Sequence, residues 1–270
     1  MKIKFNSLEN NIAKPISNLL RNFSPSKFIE YKECPKAFYY KHIAKIQLPE
    51  KKIHLLFGEA FHKAFDDLLD DKTLLESKKE FSSIFAIDKL ANEEKPNHQK
   101  LFEIGLMMLD KINNEIPILN LKYGIKNNCL NEQWLECILE DPFTKEKLTL
   151  PIKGKADKIV NDEDIWEVKT SSGKWNENDI KYKWQTMFYG WTYFILKGRH
   201  PKNIRYLIVT KQKTPQIQIL EANYTLDDYS KLFTECKNII NKIELGIYDK
   251  TEEWHPKYCS CYEYEKLLNN

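Results

Sequence analysis

Two acids and a lysine carry the first chemical signal in this chain. Gly154-Lys155-Ala156-Asp157 is followed, after the polar run Asn161-Asp162-Glu163-Asp164, by Glu167-Val168-Lys169. The flanking stretches read as strands and the polar run as the turn between them. Neighbouring strands lie about 5 Å apart. Glu167 and Lys169 stand two positions apart and so share one face, with Val168 turned into the core. Asp157, near the end of the partner strand, joins that face. Two carboxylates and one ammonium therefore converge beside a loop. Paired oxygen ligands suit Mg²⁺, and the main-chain carbonyl of Val168 offers a third ligand. A cation held there polarises a phosphate and acidifies a bound water. Lys169 would position that water or stabilise negative charge at phosphorus. The chemistry is phosphodiester hydrolysis, which asks little else of a protein. On a solvated hairpin the same residues would make only a cross-strand ion pair, so the decision rests on their company.

The elements that must position these residues follow from periodicity. Ser24-Pro25-Ser26 has the form of a helix start, a hydroxyl cap with proline in the first turn. Residues 57–69 carry apolar Phe57, Ala60, Phe61, Ala64, Phe65 and Leu68 on one helical stripe. Two more helices are expected over about 74–91 and 99–115, with Pro96 breaking between them. The pattern then changes. Residues 131–140, 147–160 and 165–170 read as strands, 180–196 as an aromatic-rich buried helix, 204–210 and 216–222 as strands, and 226–243 as an amphipathic helix. Helices followed by interleaved strands and helices imply a mixed α/β layer fold.

Four short motifs now stand in a definite order. They are Ser24-Pro25-Ser26 through Cys34-Pro35, with Phe38-Tyr39-Tyr40 behind it; Gly58-Glu59-Ala60-Phe61-His62; Gly154-x-x-Asp157 with Glu167-Val168-Lys169-Thr170; and Gln185-Thr186-Met187-Phe188-Tyr189. The ordered set, spanning about residues 24–190, resembles the PD-(D/E)XK nuclease superfamily and within it the RecB-like exonuclease branch. The second motif matches the family's GxxxH and the fourth its QxxxY. The resemblance implies a restriction-endonuclease-like mixed β-sheet core flanked by helices, with a helical N-terminal part. It implies that Asp157 and Glu167 bind Mg²⁺ or Mn²⁺, with Val168 through its carbonyl, and that Lys169 is the catalytic lysine. His62 becomes a further metal ligand rather than a helix-face histidine packed beside Phe61 and Phe65. Gln185 and Tyr189, four apart on one helix face, become part of the catalytic set, although the surrounding rings would equally make an aromatic core helix. Thr170, Ser171 and Lys155 are candidate DNA contacts. The expected organisation is one compact unit: 1–125 helical and carrying the GxxxH motif, 126–250 the nuclease core, and 251–270 a tail packing back on the N-terminal part.

Composition narrows the classes. The chain has 270 residues with 42% hydrophobic and 30% charged, and the net charge is only +3. Of the 42 basic residues only Arg21, Arg199 and Arg205 are arginines. Lysine suits contact with a sugar–phosphate backbone, arginine the bidentate reading of bases, although an AT-rich coding bias produces the same imbalance. No apolar run reaches the roughly 18 residues of a membrane span, and the first residues lack a signal-peptide core, so an intracellular location is expected. No phosphate-cradling GxxxxGK[ST] loop occurs, so a helicase or motor would have to be a separate partner, as would a recombination protein.

Many relatives of this type hold a [4Fe–4S] cluster through one cysteine before the core and three near the C-terminus. A cluster of that kind needs four thiolates. Cys34 occupies the first position, but Cys259 and Cys261 form a C-x-C with no cysteine after them, and Cys236 lies far upstream. No clear fourth ligand exists, which argues against the cluster. A zinc ion on Cys34, Cys259, Cys261 and His255 is the other metal reading, and a metal-free tail the simplest. Cys129 and Cys137 read as buried apolar residues. The functional expectation is a metal-dependent DNA exonuclease in repair, recombination or mobile-element processing. A structure-dependent or CRISPR-adaptation endonuclease, a non-catalytic DNA-binding module and an RNA nuclease are the alternatives.

Overall fold

The computed structural model describes residues 19–20, 23–48, 52–90, 92, 94–181, 183–249 and 259–269. Ser24 caps the first helix, α1 (Pro25–Glu33), by accepting from the Lys27 N–H at 3.2 Å, as the Ser-Pro-Ser sequence requires. A short α2 (Pro35–Phe38) and a π-helical turn (Tyr39–Ile43) follow. Three longer helices come next: α3 (Ile53–Leu69), α4 (Leu74–Ile84) and α5 (His98–Tyr123). Thr73 and Glu76 form a reciprocal capping box at the start of α4.

All three differ from the expected spans, α3 by beginning at Ile53, four residues before Phe57. α4 stops at Ile84, because Phe85 leaves the helix to pack its ring edge-on to Phe57 at 5.4 Å. α5 runs on through Pro117 to Tyr123. An internal proline removes a backbone hydrogen bond, but Ile112, Ile116 and Leu119 are buried on one stripe across it and keep the last turns docked.

The sheet has five strands in sequential order, β1 (Cys129–Glu140), β2 (Lys147–Val160), β3 (Asp164–Ser171), β4 (Asn203–Thr210) and β5 (Ile217–Ala222). β3 and β4 are parallel and every other neighbour pair is antiparallel. The parallel pair needs a crossover, which α6 (Glu177–Lys181) and α7 (Trp184–Lys197) supply. The single buried helix expected over 180–196 is thus two, parted before Trp184. α8 (Leu226–Glu244), opened by a Thr225–Asp228 capping box, and α9 (Cys261–Asn269) complete the described chain.

Alternation along β3 and β4 sorts the core into layers. Trp166, Val168, Leu207 and Val209 pack under α3, α4 and α5. Ile165, Ile204, Tyr206 and Ile208 pack with Tyr189 and Tyr193 of α7. A third cluster joins α1, α7 and α8 to Leu139 and Ile152 of the long hairpin. No helix among the described residues is long and apolar enough to cross a membrane.

Candidate active site

The site lies where β2 leaves β3. Their pairing comprises only Lys158–Trp166, Ile159–Ile165 and Val160–Asp164. Beyond Lys158 the strands diverge, and β3 offers its next free N–H to a side chain instead of a strand carbonyl. Val168 N donates to Asp157 Oδ2 at 2.8 Å. A strand residue directs its N–H and C=O to the same side, so the Val168 carbonyl also faces the β2 side where Asp157 stands.

Glu167 projects to the α7 side of β3 and is completely buried. Its Oε1 accepts from Lys169 Nζ at 2.5 Å, while Oε2 is buried without a hydrogen-bond partner. A buried carboxylate oxygen left unpaired is costly. Burial pushes the Glu167 carboxyl above its ordinary pKa, with Lys169 opposing the shift. Burial lowers the Lys169 pKa, but Glu167 and Asp157 outweigh it and hold the ammonium above its usual value. Lys169 therefore stays protonated.

α7 fixes that ammonium. Lys169 Nζ donates to Gln185 Oε1 at 3.3 Å, Gln185 Nε2 donates to Tyr189 Oη at 3.0 Å, and Tyr189 Oη donates to the Lys155 carbonyl at 2.6 Å. This relay returns to β2 two residues before Asp157. It also gives the motif glycine a physical reason. A Cβ on Gly154 would lie 2.8 Å from Tyr189 Cε1 and 3.1 Å from Pro25 Cγ, so the Ser-Pro-Ser, Gly-x-x-Asp and Gln-x-x-x-Tyr motifs meet at one close contact.

α3 closes the other side. His62 Nδ1 is 3.6 Å from Asp157 Oδ2. Burial lowers the His62 pKa, with Asp157 opposing, so the imidazole is neutral near pH 7 and keeps a lone pair for a metal. A cleft of about 470 Å³ opens beside it, lined by Gly58, His62, Lys63, Asp66, Glu132 and Asp157 among others.

The expected residues thus divide. Asp157, Glu167, Lys169, Gln185, Tyr189 and the Val168 backbone share one hydrogen-bonded set, and His62 stands at its edge. Ser171 turns aside, its Oγ accepting from Trp175 Nε1 at 2.9 Å. Thr170 is partly buried beyond Lys169. Lys155 points away from the relay that its own carbonyl joins and pairs with Glu132 at 2.7 Å. Two further acids, Asp66 and Glu132, border the cleft. Asp66 lies one helical turn after His62 and forms an ion pair with Lys158, which is only 1% exposed. The (i, i+4) spacing from His62 was the available signal. Glu132, whose backbone has φ of 52°, also lines the cleft.

The donors fit a hard divalent cation. Two carboxylates, one with an orphaned buried oxygen, a backbone carbonyl and a neutral imidazole are a set that Mg²⁺ or Mn²⁺ accepts. A separate cluster brings Cys34, Cys259 and Cys261 together beside Ala37 and Tyr264. Cys259 Sγ lies 2.9 Å from Cys34 Sγ and 2.8 Å from Cys261 Sγ. Cys137 and Cys236 belong to the α1–α7–α8 core and Cys129, half-buried rather than buried as expected, lies against the helical layer. Among the described residues no fourth thiol joins the three, so they do not supply the four thiolates of a [4Fe–4S] cluster; His255 lies outside the described residues.

Known proteins place this arrangement. The family model of the PD-(D/E)XK nuclease superfamily matches residues 22–264. The chain belongs to the PD-(D/E)XK nuclease superfamily. As in the fold implied by that membership, this PD-(D/E)XK protein sets a mixed sheet between helical layers. A crystal structure from Eubacterium rectale, named "Putative exonuclease", is similar in fold: TM-score 0.60 and 15% identity over 98% of this chain and 93% of that one. The crystal structure of SSO0001 aligns over 87% of this chain and 92% of its own at 15% identity, with a TM-score of 0.32. No curated protein matches the chain.

Proposed function

We propose that this PD-(D/E)XK protein is a Mg²⁺- or Mn²⁺-dependent deoxyribonuclease acting as an exonuclease in DNA repair, recombination or mobile-element processing. The observation that carries the proposal is the buried, unpartnered Oε2 of Glu167, set between a protonated lysine and the Asp157 side of β3. A cation is the partner that such an oxygen lacks. Asp157, Glu167, the Val168 carbonyl and His62 would hold it, and when bound it supplies charge to polarise the phosphate and acidify water. The remaining work belongs to the chain. Lys169, fixed by Glu167 and the Gln185–Tyr189 relay, presents its ammonium where negative charge grows at phosphorus. Gln185 keeps that ammonium from turning to solvent, and Tyr189 anchors Gln185 to β2. His62 and Asp157 border the open cleft, where the strand enters.

The name of the Eubacterium rectale structure and the motif order support the exonuclease form of the reading. Incubation with linear and covalently closed circular DNA in Mn²⁺ tests it. Loss of linear DNA with survival of the circle is the expected result; nicking of the circle at a matching rate would make the protein an endonuclease.

A further inference from the structure

The β1–β2 arm carries an exposed tryptophan out of the cleft. β1 is an edge strand, and its inward residues Leu135, Cys137 and Leu139 are buried. Trp134 on the opposite face is 62% exposed. Lys155 sits directly across the ladder from Trp134, and Lys153 across from the next outward residue, Glu136. Their ammonium groups lie 5.9 and 5.0 Å from the centre of the Trp134 ring, within cation–π range. Lys155 also donates to Glu132 Oε1 at 2.7 Å, and Glu132 lines the cleft with Asp157 and His62. One lysine and one glutamate therefore connect the ring to the site. Two residues along a strand are about 7 Å, the span of one or two nucleotide steps.

We propose that Trp134, framed by Lys153 and Lys155, is a stacking platform for an unpaired base of single-stranded DNA next to the scissile phosphate. The proposal rests on the nuclease reading and names its substrate class. A free base presents a π-face to an aromatic ring, whereas duplex bases are already stacked on each other. A protein-docking face would be a contiguous apolar patch, but here the ring alternates with Glu132, Glu136 and two lysines. Both lysines are shared with glutamates, Lys153 reaching Glu136 at 3.3 Å. Stacking rather than phosphate charge therefore dominates the contact.

The test measures binding without cleavage. Anisotropy of fluorescein-labelled oligo(dT), and of a blunt duplex, is titrated with the full chain in EDTA for wild type, Trp134→Ala and Trp134→Phe, with thermal melts as the folding control. Trp134→Ala should weaken oligo(dT) about 5- to 150-fold, Trp134→Phe should retain most of the affinity, and duplex binding should change little. In Mn²⁺ the alanine variant should raise KM on single strands with kcat nearly unchanged. Equal affinity of Trp134→Ala and wild type for oligo(dT), equal weakening on both substrates, or no oligo(dT) binding by wild type would each overturn the platform. If wild type binds oligo(dT) through Trp134 yet cleaves nothing with either metal, the nuclease reading fails and the platform stands.

Discussion

Glu167 is held in a state that a bound cation relieves. Its side chain is buried, one oxygen is bonded to Lys169, and the other has no partner. Burial raises its pKa, so part of the metal-free population carries a proton that an incoming cation must displace. The sign is definite. Binding of Mn²⁺ should release protons near neutral pH, and lowering the pH should weaken binding as the Glu167 carboxyl and then His62 take up protons. Calorimetry in buffers of different ionisation enthalpy reads the release. The same cation should raise Tm, because a ligand at 100 times its Kd adds about 2.7 kcal/mol. Glu167→Gln should lose both effects. Strand alternation alone orders Glu167, Val168 and Lys169, and the structure keeps that order, whereas joining them to Asp157 as one site took the ordered motifs. Asp66 was not legible in that way, since its approach to Lys158 depends on how α3 is rolled against the sheet.

Elements meet at glycines whose missing side chains matter in different ways. A Cβ on Gly105 would lie 2.2 Å from Phe81 Cζ, within the α4–α5 packing and off the Lys169 relay. A Cβ on Gly154 would press on Tyr189 and Pro25, which anchor the relay to Lys169. Overpacking costs about 1–3 kcal/mol at either place. Urea unfolding should therefore show both alanine variants destabilised. Gly154→Ala should also lower kcat measured on folded protein, whereas Gly105→Ala should not; equal kcat values in the two variants would contradict the role given to Tyr189. Strand spans were readable from their alternation, and β2 came out at its expected limits. Helix ends were less so. The passage of α5 beyond Pro117 depends on burial of Ile112, Ile116 and Leu119 against distant segments, which no local propensity encodes.

At the scale of the whole molecule, the sheet is a partition, with His62 reaching the site from the α3 layer and Gln185 from the α7 layer. Lys158 ties the first of these to the sheet. It is buried, lies 5.0 Å from the Phe65 ring centre, donates to Asn131 Oδ1 at 2.9 Å and pairs with Asp66 on α3. Asp66→Ala would leave a buried ammonium without its anion, an expected loss of about 3–5 kcal/mol. Thermal melts should show that loss, and the Mn²⁺ needed for half-saturation should rise as α3 loosens around His62. An unchanged melt would mean that Lys158 finds water instead. The α/β class and the order of helices and strands were visible in the pattern of periods, but the early divergence of β2 from β3, which opens the cleft, was not. Pairing that stops after three residues has no signature in residue type.

The central claim is that Asp157, Glu167 and Lys169 form a metal-dependent phosphodiesterase site, and its most direct measurement compares wild type with Lys169→Ala. End-labelled linear single- and double-stranded DNA is incubated with Mg²⁺, Mn²⁺ or EDTA. Wild type should degrade at least one substrate with metal and none in EDTA. Lys169→Ala should lose about 10²-fold or more in rate, as removal of a group stabilising transition-state charge does, while still binding DNA. Cleavage by the variant at the wild-type rate, or DNA binding by both proteins with no cleavage under either metal, would contradict the assignment.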